Sequence, residues 1–154
     1  MYYWSVSTVK DLRTERNSVS RLIVHLVCVT KYRRKVLDDR AIVWMQLHCA
    51  RVCATMGCRL LALDGEADHI HLRIEYPPKH SISTLVNALK GTSSRLLRQE
   101  RPDIADRYWK GVLWSPSYLA VSAGGAPLDV IGQYVEDQRK QSTAPTAPPS
   151  TSPS

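Results

Sequence analysis

The segment DHIHLRIEY, residues 68–76, carries two histidines separated by one apolar residue. Alternate side chains of a strand share a face, so His69 and His71 project from one side while Ile70 and Leu72 project from the other. Two imidazoles held together on a rigid strand are suited to binding a divalent cation. The simpler interpretation is a pair of exposed strand residues beside solvated acidic turns. In a basic protein the pattern favours a metal site.

Near the C-terminus, Tyr134 and Gln138 are spaced i and i+4 in a predicted helix and therefore share a face. A protonated phenol is a poor nucleophile, and a nearby cation would stabilise the phenolate and polarise a phosphate. Gln138 could supply a third metal ligand from the same helix. Taken alone, Tyr134 also fits an ordinary tyrosine at the edge of a core.

The elements that would position these groups follow from the hydrophobic pattern and the turn residues. The predicted order is β-α-β-β-α-β-α, a ferredoxin-like, RNA-recognition-like α+β sandwich with an extra C-terminal helix that carries the tyrosine. The strands are predicted at 21–30, 58–65, 68–76 and 112–122, and the helices at 39–56, 83–100 and from Pro127 onward.

The chain divides into a basic N-terminal lead-in without a clear period at 1–20, one folded domain at 21–140, and a disordered Pro/Ser/Thr-rich tail at 141–154. Gly124 and Gly125 form a flexible joint before the last helix. The four cysteines do not follow a paired zinc spacing, so reduced, buried, structural thiols are predicted, with zinc binding beside His48 as the alternative.

The formal net charge of +7 over 154 residues indicates a polyanionic partner, with nucleic acid first. The sequence has no apolar run of membrane-spanning length and no secretory signal segment. It predicts a cytoplasmic protein that does not associate with a membrane.

Several ordered motifs resemble the TnpA-type single-tyrosine transposases of the HUH nuclease superfamily, the IS200-like transposases. The resemblance covers nearly the whole folded region. It rests on HLVCVTKYRRKVL at 25–37, DHIHLRIEYPPKHSIS at 68–83, LKGTSSRLL at 89–97, LWSPSYLAVSAGG at 113–125 and IGQYVEDQ at 131–138.

The resemblance implies a metal-dependent DNA strand transferase and endonuclease that uses Mg²⁺ or Mn²⁺. By position, His69, His71 and Gln138 match the metal ligands and Tyr134 matches the nucleophile that forms a 5′-phosphotyrosine link. The partners implied are single-stranded or hairpin DNA and a second subunit, in a homodimer whose tyrosine helix acts in trans.

Substrate DNA would be held by basic side chains on its backbone and by aromatic rings on its unpaired bases. The candidate basic residues are Lys31, Arg33, Arg34, Lys79, Lys90, Arg95 and Arg98.

Two other functions remain open from the sequence. A domesticated, repeat-associated tyrosine nuclease would use the same chemistry without transposing. A non-catalytic ferredoxin-like module would bind nucleic acid through aromatic residues on its sheet, but histidines occupy those positions here and the chain has no Phe. A 2H-type phosphoesterase would need two His-x-Ser/Thr motifs, and HLR at 71–73 does not match.

Overall fold

The computed structural model describes residues 12–108, 110–123 and 128–141. Of the predicted tail at 141–154, residue 141 is instead the last residue of the C-terminal helix, and the rest of the tail and the Gly124-Gly125 joint lie outside these ranges. The elements in chain order are β1 (Arg13–Glu15), β2 (Ser18–Ser20), β3 (Ile23–Val29), a 3-10 turn (Lys31–Arg33), α1 (Asp39–Thr55), β4 (Arg59–Glu66), β5 (His69–Glu75), α2 (Ile82–Glu100), α3 (Pro102–Ala105), β6 (Leu119–Ser122) and α4 (Leu128–Gln141).

The main sheet has four strands in the order β4-β5-β3-β6, and every neighbouring pair is antiparallel. Strands β3 and β5 therefore lie at the centre, where Val27 faces His71 and Val29 faces His69 in the register. With α1 and α2 connecting the strands, this is the predicted ferredoxin-like α+β arrangement with an additional C-terminal helix, and the fold prediction is confirmed.

One face of the sheet forms the main core. Leu26 of β3 and Leu72 and Ile74 of β5 have almost no exposed surface and pack with buried residues of α1 and α2, such as Met45 and Leu85. The alternation predicted for β5 is correct, because its isoleucines and leucine enter this core. The histidines are consequently placed on the opposite face.

The opposite face is partly covered by α4. Val27 and Val29 are buried there in a second, smaller cluster, against which Tyr134 and Val135 of α4 pack. Because Val27 lies beside His71 in the sheet, the tyrosine helix is placed one strand away from the histidine pair.

The two long helices begin at side-chain caps, of which the sequence predicted only the first, at Asp38. Asp38 accepts a hydrogen bond from the backbone N of Ala41 at 2.9 Å, and Ser81 accepts one from that of Thr84 at 3.1 Å. Gly57, with φ of 74°, follows α1 in the left-handed conformation that ends helices. Across the described residues, no helix combines the length and apolar character needed to cross a membrane.

Two segments differ from the sequence prediction. The last strand was predicted at 112–122, but only Leu119–Ser122 is a strand, preceded by a single bridge between Trp114 and Thr30. Pro116 lacks the N–H that a continuous ladder requires, which accounts for the interruption. The described part of the N-terminal lead-in is not irregular, because β1 and β2 form a hairpin.

That hairpin is fastened to the main sheet through Glu75, whose side chain is only 2% exposed. Arg13 donates from Nε to one carboxylate oxygen at 2.7 Å and from Nη2 to the other at 2.6 Å. Arg59 adds a third contact at 3.3 Å. Glu75 lies in the same strand as the histidine pair, so this contact links the hairpin to the site-bearing strand.

All four cysteines are buried and free, as predicted. Burial raises the pKa of Cys53 to about 12 and also raises the pKa values of the other three thiols. The thiols are thus protonated at neutral pH and pack as small apolar groups.

Candidate active site

His69 is oriented by its sequence neighbour. Its Nδ1 lies 2.9 Å from Oδ1 of Asp68, a carboxylate that is almost completely buried. A neutral imidazole that donates from Nδ1 has its lone pair on Nε2, which is the arrangement found in carboxylate–histidine–metal triads. This contact fits His69 to a role as a metal ligand through Nε2.

His71 has a second imidazole beside it. Nε2 of His71 is 2.9 Å from Nδ1 of His25, which projects from the neighbouring strand β3, and the ring centroids are 5.1 Å apart. One of the two nitrogens must donate and the other accept. A cation bound through Nε2 of His71 would therefore replace the hydrogen bond to His25.

Both of these rings are kept neutral by their surroundings. Burial lowers the pKa of His71, and the nearby His25 and His69 lower it further, against the opposing charge of Asp64. Burial together with the charge of Arg73 lowers the pKa of His25. Neutral imidazole is the form that binds metal ions, so the lowered pKa of His71 favours its form that can bind a metal.

Asp68 connects this site to the tyrosine helix through Arg33. The second carboxylate oxygen of Asp68 lies 2.7 Å from Nη2 of Arg33, whose side chain is 5% exposed. Nη1 of Arg33 donates to the backbone oxygen of Val135 at 2.8 Å. A continuous chain of polar contacts thus runs from His69 to the residue that follows Tyr134.

Tyr134 is half-buried, and its hydroxyl lies 3.1 Å from Oγ of Ser117. Burial raises the pKa of Tyr134, although the contact with Ser117 acts in the opposite direction. The phenol is protonated at neutral pH, so it requires a base or a cation before it can act as a nucleophile.

The segment that holds Ser117 is itself held by Lys90. The ammonium of Lys90 donates to the backbone oxygens of Ser115 at 2.6 Å, Pro116 at 3.3 Å and Ser117 at 3.2 Å. Burial lowers the pKa of Lys90. In this structure Lys90 therefore supports the loop beneath Tyr134.

Gln138 is half-buried on the same helix as Tyr134 and takes part in interactions within the chain. The described residues contain no cluster of three His, Cys, Asp or Glu side chains placed to hold a metal ion. A metal at His69 and His71 would need a further ligand of another kind, which an amide oxygen can provide.

The other basic candidates occupy three regions. Lys31 and Arg34 flank the ring of Tyr32, each with its charge 5.4 Å from the ring centroid. Arg95 and Arg98 lie on α2, in the helical layer on the far side of the sheet from the histidines. Lys79 is exposed after the end of β5. The structure brings only the Lys31–Arg34 segment close to Asp68.

Sequence reasoning missed three residues of this site: His25, Asp68 as a partner of His69, and Ser117. Adjacency to His69 could have indicated Asp68, because histidine ligands commonly donate to a carboxylate. Alternation places His25 on the face of Val27, but its contact with His71 depends on the β3–β5 register. No sequence signal indicates the contact between Ser117 and Tyr134.

The ferredoxin-like sheet thus carries a histidine pair on one face, and the tyrosine helix packs over that same face. The family model described as "Transposase IS200 like" matches residues 18–138. The chain belongs to the IS200-like transposase family, and the predicted family membership is confirmed.

The chain is also similar to individual members of the family. It is 29% identical over 128 residues to the ISDra2 transposase TnpA of Deinococcus radiodurans, covering 83% of this chain and 91% of the relative. It is 32% identical over 119 residues to the transposase for insertion sequence element IS200 of Salmonella typhimurium, covering 76% of each. The protein is accordingly a transposase-type enzyme.

Solved structures agree with this assignment. A crystal structure assigned as a transposase of Deinococcus radiodurans R1 aligns with a TM-score of 0.76 and 33% identity, over 82% of this chain and 97% of that one. A REP-associated tyrosine transposase bound to a REP hairpin aligns with a TM-score of 0.52 and 12% identity, over 83% of this chain and 73% of that one. The second likeness concerns the fold alone.

Proposed function

We propose that this protein is a single-strand DNA transposase that cuts and rejoins the ends of its element through a tyrosine–DNA intermediate. The proposed nucleophile is Tyr134, and the proposed metal ligands are His69, His71 and Gln138. The observation that carries the proposal is the placement of Tyr134 on the sheet face of the histidine pair, with Asp68 orienting His69.

In the proposed reaction, the hydroxyl oxygen of Tyr134 attacks a DNA phosphorus atom and loses its proton. The bond from phosphorus to the 3′ oxygen breaks, giving a 5′-phosphotyrosine and a free 3′-OH after that oxygen takes up a proton. A 3′-OH then attacks the phosphotyrosine and releases Tyr134. One phosphoester bond forms for each one broken, so joining needs no ATP.

The residues of the site support a bound cation. His69 is aligned through Asp68, and His71 is held neutral at physiological pH by burial and by His25. When bound, Mg²⁺ or Mn²⁺ would polarise the scissile phosphate and stabilise the phenolate, and two imidazoles with one amide leave positions open for phosphate and water.

DNA binding is assigned to the basic candidates that are partly or fully exposed. Lys31, Tyr32 and Arg34 combine two cations with an aromatic ring near the site, which suits a single strand with unstacked bases. Lys79, Arg95 and Arg98 are proposed as further backbone contacts. Arg33 and Lys90 are assigned internal roles because their charged groups contact the protein's own carboxylate and carbonyl oxygens.

The proposed assembly is a cytoplasmic homodimer in which the tyrosine helix of one subunit serves the histidines of the other. In the single chain, α4 packs on its own sheet. Mixing Tyr134→Phe subunits with His69→Ala, His71→Ala subunits tests the proposal, since only exchange in trans restores one complete site in the mixed dimer. Absence of restored cleavage in verified mixed dimers would contradict it.

The function is tested with labelled single-stranded oligonucleotides that cover the imperfect palindromes flanking the gene. Purified protein with Mn²⁺ should form a covalent adduct with the 5′ phosphate of the fragment downstream of the cut, seen as a shifted band under denaturing conditions. Rejoining of two element ends supports transposition, whereas cleavage without rejoining indicates the domesticated nuclease.

The matched variants are Tyr134→Phe and Tyr118→Phe. The first should abolish the adduct and retain DNA binding, and the second should retain both. An adduct that persists in Tyr134→Phe would assign the nucleophile elsewhere, and full cleavage by the double variant His69→Ala, His71→Ala would contradict the metal proposal.

A further inference from the structure

The Arg33 side chain is nearly inaccessible to solvent, although it belongs to the strongly basic segment KYRRK. A buried guanidinium is costly unless it is paired, so its partners identify what it does. Those partners are a carboxylate oxygen of Asp68 at 2.7 Å and the backbone oxygen of Val135 at 2.8 Å. One partner orients a histidine of the site, and the other belongs to the tyrosine helix.

The backbone around Arg33 is held in an unusual conformation. Tyr32 and Arg33 have φ angles of 61° and 54°, in the left-handed region that side chains other than glycine seldom adopt. Such strain persists only where surrounding contacts fix it, and it is concentrated at functional positions. One such contact is made by Thr30, whose backbone N donates to the backbone oxygen of Asp68 at 2.9 Å.

We propose that Arg33 is a positioning residue that couples the histidine site to the tyrosine helix, holding Asp68 against His69 with one nitrogen and seating α4 with the other. This role rests on the proposed function, because it concerns the relative placement of the proposed nucleophile and metal ligands. Arg33 itself touches neither phosphate nor metal.

The opposing interpretation is that Arg33 contacts a DNA phosphate. Its Nε has no hydrogen-bond partner among the described residues, and its Nη2 contacts Asp68 only as an ion pair, so part of the donor capacity is unused, although both nitrogens are buried. The two roles predict different behaviour. A phosphate contact contributes to DNA affinity and to its salt dependence, whereas a positioning residue affects the placement of groups that are already bound.

The first test is amide hydrogen exchange on the full chain, comparing the wild type with Arg33→Met, Arg33→Lys and Lys35→Met. Lys35 is exposed in the same basic segment and is the charge-matched control. In Arg33→Met, amides of residues 128–141 should exchange at least tenfold faster, while those of β3 and β5 stay protected. Arg33→Lys should show an intermediate exchange rate, since a single ammonium cannot contact Asp68 and Val135 as the two nitrogens of the guanidinium do. Lys35→Met should exchange like the wild type.

The second test measures binding and chemistry separately. Arg33→Met should weaken Mn²⁺ binding by up to about tenfold, at the low end of the roughly 10- to 100-fold loss typical of removing a direct partner of a metal ligand, because Arg33 acts on His69 only through Asp68. At saturating DNA the single-turnover rate of adduct formation should fall by more than 30-fold, with DNA affinity changed less than threefold. Arg33→Lys should recover part of that rate.

Unchanged exchange in α4 of Arg33→Met would overturn the proposal, as would a loss of DNA affinity accompanied by a salt slope smaller by about one. If Arg33→Met does not fold, Arg33→Lys decides: loss of protection confined to α4 supports the role, and uniform loss across α4 and the sheet refutes it. Failure of the wild type to form any adduct would refute the proposed nuclease function while leaving the exchange result independent.

Discussion

Replacing Arg13 by Met should destabilise the whole domain, because it leaves Glu75 buried with its charge poorly compensated. The variant loses both short contacts to the carboxylate, at 2.7 Å and 2.6 Å, and leaves only the one from Arg59 at 3.3 Å. The side chain of Arg59 is 60% exposed, so it screens the carboxylate weakly.

Breaking a buried ion pair by removing one partner costs about 3–5 kcal/mol. Arg13 is 18% exposed and Arg59 remains, which places the expected loss at the lower end, about 3 kcal/mol. With an m value of about 1.5 kcal/mol/M, the urea midpoint should fall by about 2 M.

The stability lost in Arg13→Met should be larger at neutral pH than at acidic pH. The hydrogen bonds from Arg13 lower the pKa of Glu75 in the folded protein, against the effect of burial. The resulting stability is present above the unfolded pKa of about 4.3 and disappears as the pH falls through the lowered folded value. The difference between wild type and variant should be full at pH 7 and shrink below about pH 4.

Far-UV circular dichroism during urea unfolding at pH 7 and pH 3.5 measures both effects. Arg16→Met is the control, because Arg16 is an exposed residue of the same hairpin. The reasoning would be refuted if Arg13→Met lowered the free energy of unfolding by less than about 0.5 kcal/mol, the size expected of an ordinary surface substitution. It would also be refuted if the decrease were equal at both pH values.

Three further outcomes are expected. Gly65→Ala should lower the melting temperature by several degrees, because its Cβ would lie 2.8 Å from the backbone oxygen of His69 and 2.8 Å from a methyl group of Ile42. The control Gly132→Ala should raise the melting temperature slightly, because its Cβ meets nothing within 4 Å. Lys90→Met should cost about 2 kcal/mol in chemical denaturation by releasing three carbonyl oxygens, and the exposed Lys79→Met should cost almost nothing. Since burial raises the pKa of Tyr134, adduct formation should accelerate from pH 7 to pH 9, and a flat profile would argue against phenol ionisation in the rate-limiting step.

The sequence was sufficient where the information is local. The alternation of residues 69–75 assigns His69 and His71 to one face and the core residues to the other, and the structure agrees. Asp38 marks the start of α1 because a capping side chain acts within three residues. The order of the elements then limits the topology to few choices.

The remainder depends on contacts between distant segments. Arg33 and Val135 are 102 positions apart, so no local pattern indicates that the guanidinium is buried. His25 meets His71 only because of the pairing register of two strands. The shortened last strand depends on Pro116 and on Lys90, which binds the carbonyl oxygens of the interrupted segment.

The contact between Arg33 and α4 is made to a backbone oxygen and not to a side chain. The α4 helix of a second copy presents the same backbone oxygen, so the contact with Arg33 does not distinguish the chain's own helix from that of a second copy. A closed monomer and a domain-swapped dimer would then share the same contact between Arg33 and α4, and their balance would depend on protein concentration. Dilution would shift molecules from the swapped to the closed form without changing a single contact of Arg33.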